Sequence, residues 1–273
     1  MRIKTDVVIV GTGVAGMFSA LKLPRDKKIV IITKEDMRSS DSFLAQGGIC
    51  VLRDENDYDS YFEDTMKAGH YENRKESVDI MIRGSRDIIN DLVGYGVDFK
   101  MDGDDFAYTR EGAHSRPRIL YHEDITGKEI SEKLLQQVLK LDNVTILEYT
   151  TMQDILVENG KCTGLKAVSS EANRVRLEAM EAGKAVKTQE EIQPGGEIPV
   201  EIYAQDTILA SGGIGGRYAH STNYPHLTGD ALDIAKKHNV RLEHLDYVQI
   251  HPTTLYSKRP GRRFLISESV RGE

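Results

Sequence analysis

The chain has little cysteine. Cys50 and Cys162 are its only two, far apart in sequence. Such spacing forms neither a disulfide framework nor a metal-ligand cluster, so no metal is expected and a reducing cytoplasm is the compartment that fits. No apolar run approaches the roughly 18 residues that a membrane-crossing helix needs, so no membrane span is expected. No basic stripe stands out against a formal net charge of −7, which argues against nucleic acid as the main partner. Met1-Arg-Ile-Lys-Thr5 runs directly into an apolar segment, leaving no room for a signal peptide. What is present, 39% hydrophobic and 29% charged residues over 273 positions, is the composition of an ordinary globular protein of one large or two modest domains.

The strongest signal is at the start. Asp6-Val-Val-Ile-Val10 is the short apolar run of a buried parallel strand, and Gly11-Thr-Gly-Val-Ala-Gly16 follows at once. A helical pattern from Met17 to Leu23 and a second apolar run, Lys28-Ile-Val-Ile-Ile-Thr33, complete a strand, glycine turn, helix and strand, the context of a dinucleotide-binding site. Gly11 permits the tight turn, Gly13 lets the backbone approach a pyrophosphate, and Gly16 lets helix and strand pack closely. Val14 and Ala15 carry the helix N–H groups that face the phosphates. The acidic residue that usually takes the ribose hydroxyls is missing from the end of the second strand, which reads Thr33-Lys34. Either Glu35 reaches back, or Thr33 or backbone groups hold the ribose.

The stretch from Arg38 to Ile49 is small and polar, with Ser40, Ser42, Ala45, Gln46 and the Gly47-Gly48 pair; it reads either as a plain loop or as a loop touching a cofactor. Helical patterns follow to Gly94, with Asp57 or Asp59 capping the first helix. Tyr108 to Arg118 contains Glu111, His114 and the guanidinium groups of Arg110, Arg116 and Arg118. It is either a solvated loop with scattered ion pairs or a carboxylate-binding surface with Glu111 or His114 facing a substrate. A helix from Thr126 to Leu141 and a strand at Val144 to Leu147 come next. Strands at Asp154 to Glu158 and Cys162 to Val168 form a hairpin through Asn159-Gly160, with Pro199 to Tyr203 as a third strand. Between them, Ser169 to Ile198 reads as an insertion carrying an exposed helix at a hairpin tip. Asp206 to Gly216 is a second buried strand running into glycines, and Leu227-Thr-Gly-Asp-Ala231 starts a helix with Asp230 in its first turn. The chain closes with Gln249, His251 and Ser267-Glu-Ser-Val-Arg-Gly-Glu273.

Taken together, Gly11 to Gly16, Ala45-Gln-Gly-Gly48, Thr109-Arg-Glu-Gly-Ala-His114, Ala210-Ser-Gly-Gly213, Thr228-Gly-Asp-Ala231, His251-Pro-Thr253 and the final Ser267 to Glu273 resemble the flavoprotein family of succinate dehydrogenase and fumarate reductase. Within it, the members that oxidise L-aspartate are the nearest match. The resemblance implies an α/β fold: a Rossmann-like FAD-binding domain with a parallel sheet and a small antiparallel β-meander (residues 1–245, insertion at 169–198), then the start of a substrate-capping domain (246–273). FAD would lie along Gly11, Gly13, Val14, Ala15 and Gly16. Thr33, Lys34, Ser40, Ser42, Ala45, Gln46, Gly47, Gly48, Ala210, Gly212, Gly213 and Asp230 complete its site. Family members that attach flavin covalently use a histidine where this chain has Asp41, so FAD is expected to be non-covalent.

The implied chemistry is oxidation of L-aspartate to iminoaspartate, with dioxygen or fumarate reoxidising the flavin and quinolinate synthase taking the product toward NAD. Glu111 and His251 would be catalytic, Glu111 by meeting the substrate ammonium, and Gln249, Ser267 and Glu268 would bind the dicarboxylate. The resemblance also implies further sequence beyond Glu273, with the rest of the capping domain and a catalytic arginine. The alternatives are a succinate- or fumarate-directed flavoprotein and a non-catalytic flavin-binding or interaction fragment.

Overall fold

The computed structural model describes residues 1–189, 192–251 and 253–266. The chain divides into two compact units, Met1–Phe43 with Leu134–Ile266, and Leu44–Lys133.

The first unit opens with β1 (Arg2–Val10), α1 (Val14–Lys22) and β2 (Ile29–Ile32), as the glycine motif predicts. A short α2 (Asp41–Leu44) lies at its boundary. The second unit contains β3 (Ile49–Cys50), α3 (Tyr58–Ala68), α4 (Lys75–Gly94), β4 (Met101–Asp102), β5 (Asp105–Phe106) and β6 (Ile119–Leu120). Apolar residues at helical spacing put Tyr61 and Met66 of α3 against Val78 and Ile82 of α4, with Leu52 beneath. After α5 (Thr126–Leu139), which crosses the boundary, the first unit resumes with β7 (Val144–Leu147), β8 (Thr150–Glu158) and β9 (Lys161–Ser170). It ends with α6 (Arg174–Glu181), β10 (Glu197–Leu209) and α7 (Asp230–Lys237).

The main sheet has the order β7-β2-β1-β10-β9-β8. β7, β2, β1 and β10 are parallel, and β9 and β8 join antiparallel. All four residues of β2 are buried, the pattern of a strand covered on both faces. The third meander strand and the second buried strand of the sequence reading are one strand. β10 pairs antiparallel with β9 over Glu197 to Tyr203 and parallel with β1 from Glu201 to Leu209. Pro199, placed opposite Val168, does not interrupt it.

The insertion differs from its sequence reading. α6 is not a solvated tip: Leu177 is fully buried and joins Ile3, Val200 and Ile202 in the core, with Met180 packed against them. The following residues run along edge strand β7, where Thr145 Oγ1 donates to the Val186 carbonyl and Thr188 Oγ1 accepts from the Ile146 N–H. A charge-rich composition hid one apolar stripe of two side chains a turn apart. Leu177→Ala is therefore expected to cost about 2–5 kcal/mol in urea denaturation; a loss below ~0.5 kcal/mol would return α6 to the surface.

At the far end of α7, Asp154 of β8 accepts from Lys237 Nζ and pairs with His238 Nε2 at 2.7 Å. The Lys237 contact holds its carboxyl down at about 2. A depressed carboxyl stabilises the fold above its unfolded value near 3.9 and loses that contribution as pH falls toward the folded value. Melting temperature should accordingly fall between about pH 4 and pH 2, and Asp154→Asn should flatten that limb.

Candidate functional site

A cavity of about 300 Å³ opens where β1, β2 and β10 end, lined by Gly11 to Ala15, Thr33, Lys34, Ser39 to Ser42, Ala210 to Gly213 and Leu227 to Asp230. This is the crevice at the carboxyl ends of parallel strands where open α/β sheets take ligands. Its tightest point is the glycine turn. Gly11 has φ +111°, and a Cβ there would come within 2.3 Å of the Ala210 carbonyl oxygen. Gly16 does not line the cavity; it lies behind it, where a Cβ would stand 2.0 Å from the Gly11 oxygen. That is the close helix–strand approach expected of the third glycine.

α1 begins without a side-chain cap at Gly13 and has no acidic residue in its first turn, so its positive end is not neutralised from within. The Val14 N–H is met at 3.1 Å by Ser42 Oγ, a neutral oxygen standing where a phosphate oxygen would be favoured. On the opposite wall, Lys34 Nζ donates to Asp230 Oδ2 and Thr228 Oγ1, both at 2.9 Å, and to the His226 carbonyl at 3.1 Å. Burial opposes ionisation of Asp230, but hydrogen bonds from Thr228 and Lys34 outweigh it and hold the carboxyl below its ordinary range. Thr33, hydrogen-bonded to Thr12 at 3.2 Å, lines the cavity, and Glu35 is not among the lining residues. Asp41 also lines it, its carboxylate accepting from the Tyr224 N–H at 3.0 Å and from the Asn223 amide.

The second unit holds the other predicted group. A Cβ on Gly47 would sit 3.8 Å from both Glu111 carboxylate oxygens, so the glycine pair and Glu111 meet. Gly48 is required by packing, since a Cβ there would clash with Ile119 and the Leu120 carbonyl at 2.2 and 2.4 Å. Ala45 accepts from the Gly127 N–H at 3.0 Å, while Gln46 Oε1 is buried without a partner among the described residues.

The 108–118 stretch is neither of its two sequence readings alone. Arg110 and Arg116 are exposed, but Arg118 is wholly buried. Its guanidinium donates to Asp57 at 2.9 and 3.2 Å, to Asp64 at 2.6 Å and to Ser60 at 3.0 Å, and lies over the Tyr61 ring. The Asp57 side chain makes no N-cap hydrogen bond; its carboxylate serves Arg118. Arg118 Nη1 also donates to His114 Nδ1 at 3.1 Å. An arginine can only donate, so His114 is neutral and carries its proton on Nε2, 3.4 Å from Cys50 Sγ. Burial and the adjacent guanidinium both hold the His114 pKa below the usual imidazole value.

Gln249 is exposed, and His251 Nδ1 is engaged locally with Thr253; neither lines the cavity. Pro252, Ser267 and Glu268 lie outside the described residues. The sequence reading missed Thr12, Thr150 to Met152 and His226 as cavity residues. Only Thr12, inside the glycine motif, had a local signal.

Residues 6–273 match the family described as FAD binding domain. The chain belongs to this family. FAD is the cofactor of the fold, and the cavity suits it: Gly11 holds a left-handed turn with no room for a side chain, and Gly13 and the first turn of α1, which has no acidic residue to neutralise its positive end, line the space where an anion would be favoured. Among individual proteins, the chain is 40% identical to L-aspartate oxidase of Clostridium perfringens, over 100% of this chain and 56% of that one. It is 34% identical to L-aspartate oxidase of Acinetobacter baylyi, over 98% and 46%. The fold is similar to E. coli quinol fumarate reductase, with a TM-score of 0.85 and 26% identity over 100% of this chain and 43% of that chain. The chain thus spans about half the length of the relatives it matches.

Proposed function

We propose that this chain is the flavin-binding portion of an enzyme that oxidises L-aspartate to iminoaspartate, holding FAD non-covalently in a reducing cytoplasm. Likeness to L-aspartate oxidases across the whole chain carries the reading. The position of Glu111 beside Gly47 supports it, because a carboxylate there suits a substrate ammonium group and has nothing to meet on succinate. When bound, the flavin supplies a two-electron acceptor. Gly11 and Gly13 would let the backbone approach its pyrophosphate, and the positive end of α1 would favour the phosphate charge. The Lys34–Asp230 pair fixes the start of α7 against the end of β2. By the resemblance, Gln249, His251, Ser267 and Glu268 would bind the substrate carboxylates or line the pocket, and Glu111 would orient the amine. Asp41, tied to Asn223 and Tyr224, offers no nitrogen for a covalent flavin link. Iminoaspartate would pass to quinolinate synthase.

The deciding experiment is the visible spectrum of the purified chain before and after anaerobic L-aspartate. Flavin bands at about 370 and 450 nm that bleach with aspartate are the expected result. Bands that persist would leave a non-catalytic flavin-binding portion. Bleaching by succinate but not aspartate would favour the second reading, which the backbone likeness to fumarate reductase supports. In an enzyme that turns over, Glu111→Gln should weaken aspartate by about 10- to 100-fold, as loss of a charge-assisted hydrogen bond does, and leave succinate nearly unchanged. Equal losses for both would remove Glu111 from amine recognition.

A further inference from the structure

We propose that Glu148 is a positioning residue for the flavin cavity: its carboxylate fixes the 36–42 segment that forms one cavity wall, and its carbonyl ties that joint to α6. The inference rests on the FAD reading of the cavity and concerns residues outside its lining.

Glu148 follows β7 and is almost fully buried. Its Oε1 accepts from the Met37 N–H at 2.7 Å. Met37, itself buried, precedes Ser39, Ser40, Asp41 and Ser42, all of which line the cavity. Within that segment Asp36 accepts from the Arg38 N–H and Ser39 Oγ, which braces the turn between Met37 and the cavity residues. Ser42 in turn reaches the α1 N-terminus through the Val14 N–H. The Met37 anchor is therefore two short steps from the phosphate end of the site. On the other side, the Glu148 carbonyl accepts from Asn173 Nδ2 at 2.8 Å, and Asn173, with no exposed surface, also donates to Ser169 Oγ at 2.9 Å. Asn173 stands immediately before α6 and bonds Arg176 within it.

A structure that needed only a filled core would use an apolar residue here. Glu148 Oε2 and Arg176 Nε are both buried without a hydrogen-bond partner among the described residues, an arrangement that costs stability whatever the residue does, so the carboxylate is not explained by packing alone. Burial holds the Glu148 pKa above the usual carboxylate range. The Met37 bond needs only an acceptor oxygen, which ionised, protonated and amide forms all provide.

The test is FAD titration of the apo chain, followed by flavin fluorescence, for wild type, Glu148→Gln and Glu148→Leu, with amide exchange read at Met37. Glu148→Gln keeps the acceptor and is expected within twofold of wild type. Glu148→Leu fills the volume but lacks the acceptor, and is expected to bind FAD about tenfold more weakly, with faster exchange at Met37. A purely structural role would lower the apo melting temperature for both variants without splitting their FAD affinities. Leucine binding FAD within twofold of wild type, or glutamine losing as much as leucine, would overturn the proposal. Should Glu148→Leu not fold, Asn173→Ala leaves the carboxylate in place and cuts the tie to α6. It is expected to weaken FAD about threefold, less than loss of one whole hydrogen bond, and unchanged affinity would overturn the proposal. A wild-type chain that takes up no FAD would instead bring down the cavity reading, and this proposal with it, before any variant is compared.

Discussion

Gly16→Val is expected to purify colourless, with FAD affinity reduced by at least about 100-fold, equivalent to roughly 2.7 kcal/mol. A side chain at this position has no free direction. Its Cβ would lie 2.0 Å from the Gly11 carbonyl oxygen, 3.1 Å from the Gly11 carbonyl carbon and 3.4 Å from Ile9 Cγ2. The first two are backbone atoms and cannot rotate away. Relief must come from lifting α1 off β1 or from distorting the Gly11 turn. Overpacking alone costs about 1–3 kcal/mol. Either movement also misdirects the first turn of α1, and a hydrogen bond from it to a charged group would be worth about 1.5–3 kcal/mol. The two losses fall on the same ligand, so affinity should suffer more than fold. The measurement is the ratio of flavin to protein absorbance after purification, followed by FAD titration. A variant that retains stoichiometric flavin would mean that helix–strand closeness at Gly16 does not hold the phosphate site in register.

The second large effect is expected at Arg118. Arg118→Leu should destabilise the protein by about 3–5 kcal/mol in chemical denaturation, because it strands two carboxylates that were paired with the guanidinium, Asp57 buried and Asp64 largely so. Asp57 is 1% exposed and, among the described residues, would keep Ser60 and the Arg53 backbone as donors. Burial works against its ionisation in the folded chain, yet the Arg118 and Ser60 hydrogen bonds outweigh it and keep the carboxyl below its usual range. Asp64 behaves alike, with the Ser115 N–H and Arg118 offsetting its burial. Both carboxyls therefore add stability above their unfolded pKa and lose it as pH falls through the depressed folded values, so acid sensitivity belongs to this cluster as well. Adding Asp57→Asn and Asp64→Asn to Arg118→Leu should restore part of the loss, since the penalty arises from unpaired charge more than from missing attraction. No recovery in the triple variant would show that the guanidinium matters for packing over Tyr61 instead.

The dinucleotide unit was legible because its information is local. Strand, glycines, helix and strand lie within one short stretch, and each glycine has a separate steric reason. The role of Arg118 was not legible, because its partners Asp57, Ser60 and Asp64 lie more than fifty residues earlier in the chain, on and just before α3. From sequence alone it looked like Arg110 and Arg116, which are exposed. α6 misled for a related reason. Its charged letters suggested a solvated helix, but Arg176 is buried beside Asn173 and only Leu177 and Met180 face the core. β10 was read as two strands because its outer half alternates toward β9 while its inner half runs beside β1, and a change of neighbours resembles a break. Of the substrate residues, Glu111 had a recognisable neighbour in the Gly47-Gly48 turn, whereas Gln249 and His251 have none in the cavity.

The pairing of β1 with β10 also constrains the order of events during folding. β1 can find β2 early, since Val7 and Ile29 are close in sequence, but its other edge waits for residues 201–209. Contacts of such long sequence separation form late, and until then β1 offers an open apolar edge to other chains. The oxygen that closes over Gly11 belongs to Ala210, so the pocket lacks the wall made by residues 210–213 before β10 docks. Flavin uptake should therefore trail sheet completion in a refolding experiment, and a cofactor supplied early can only trap molecules that have already threaded their central strand.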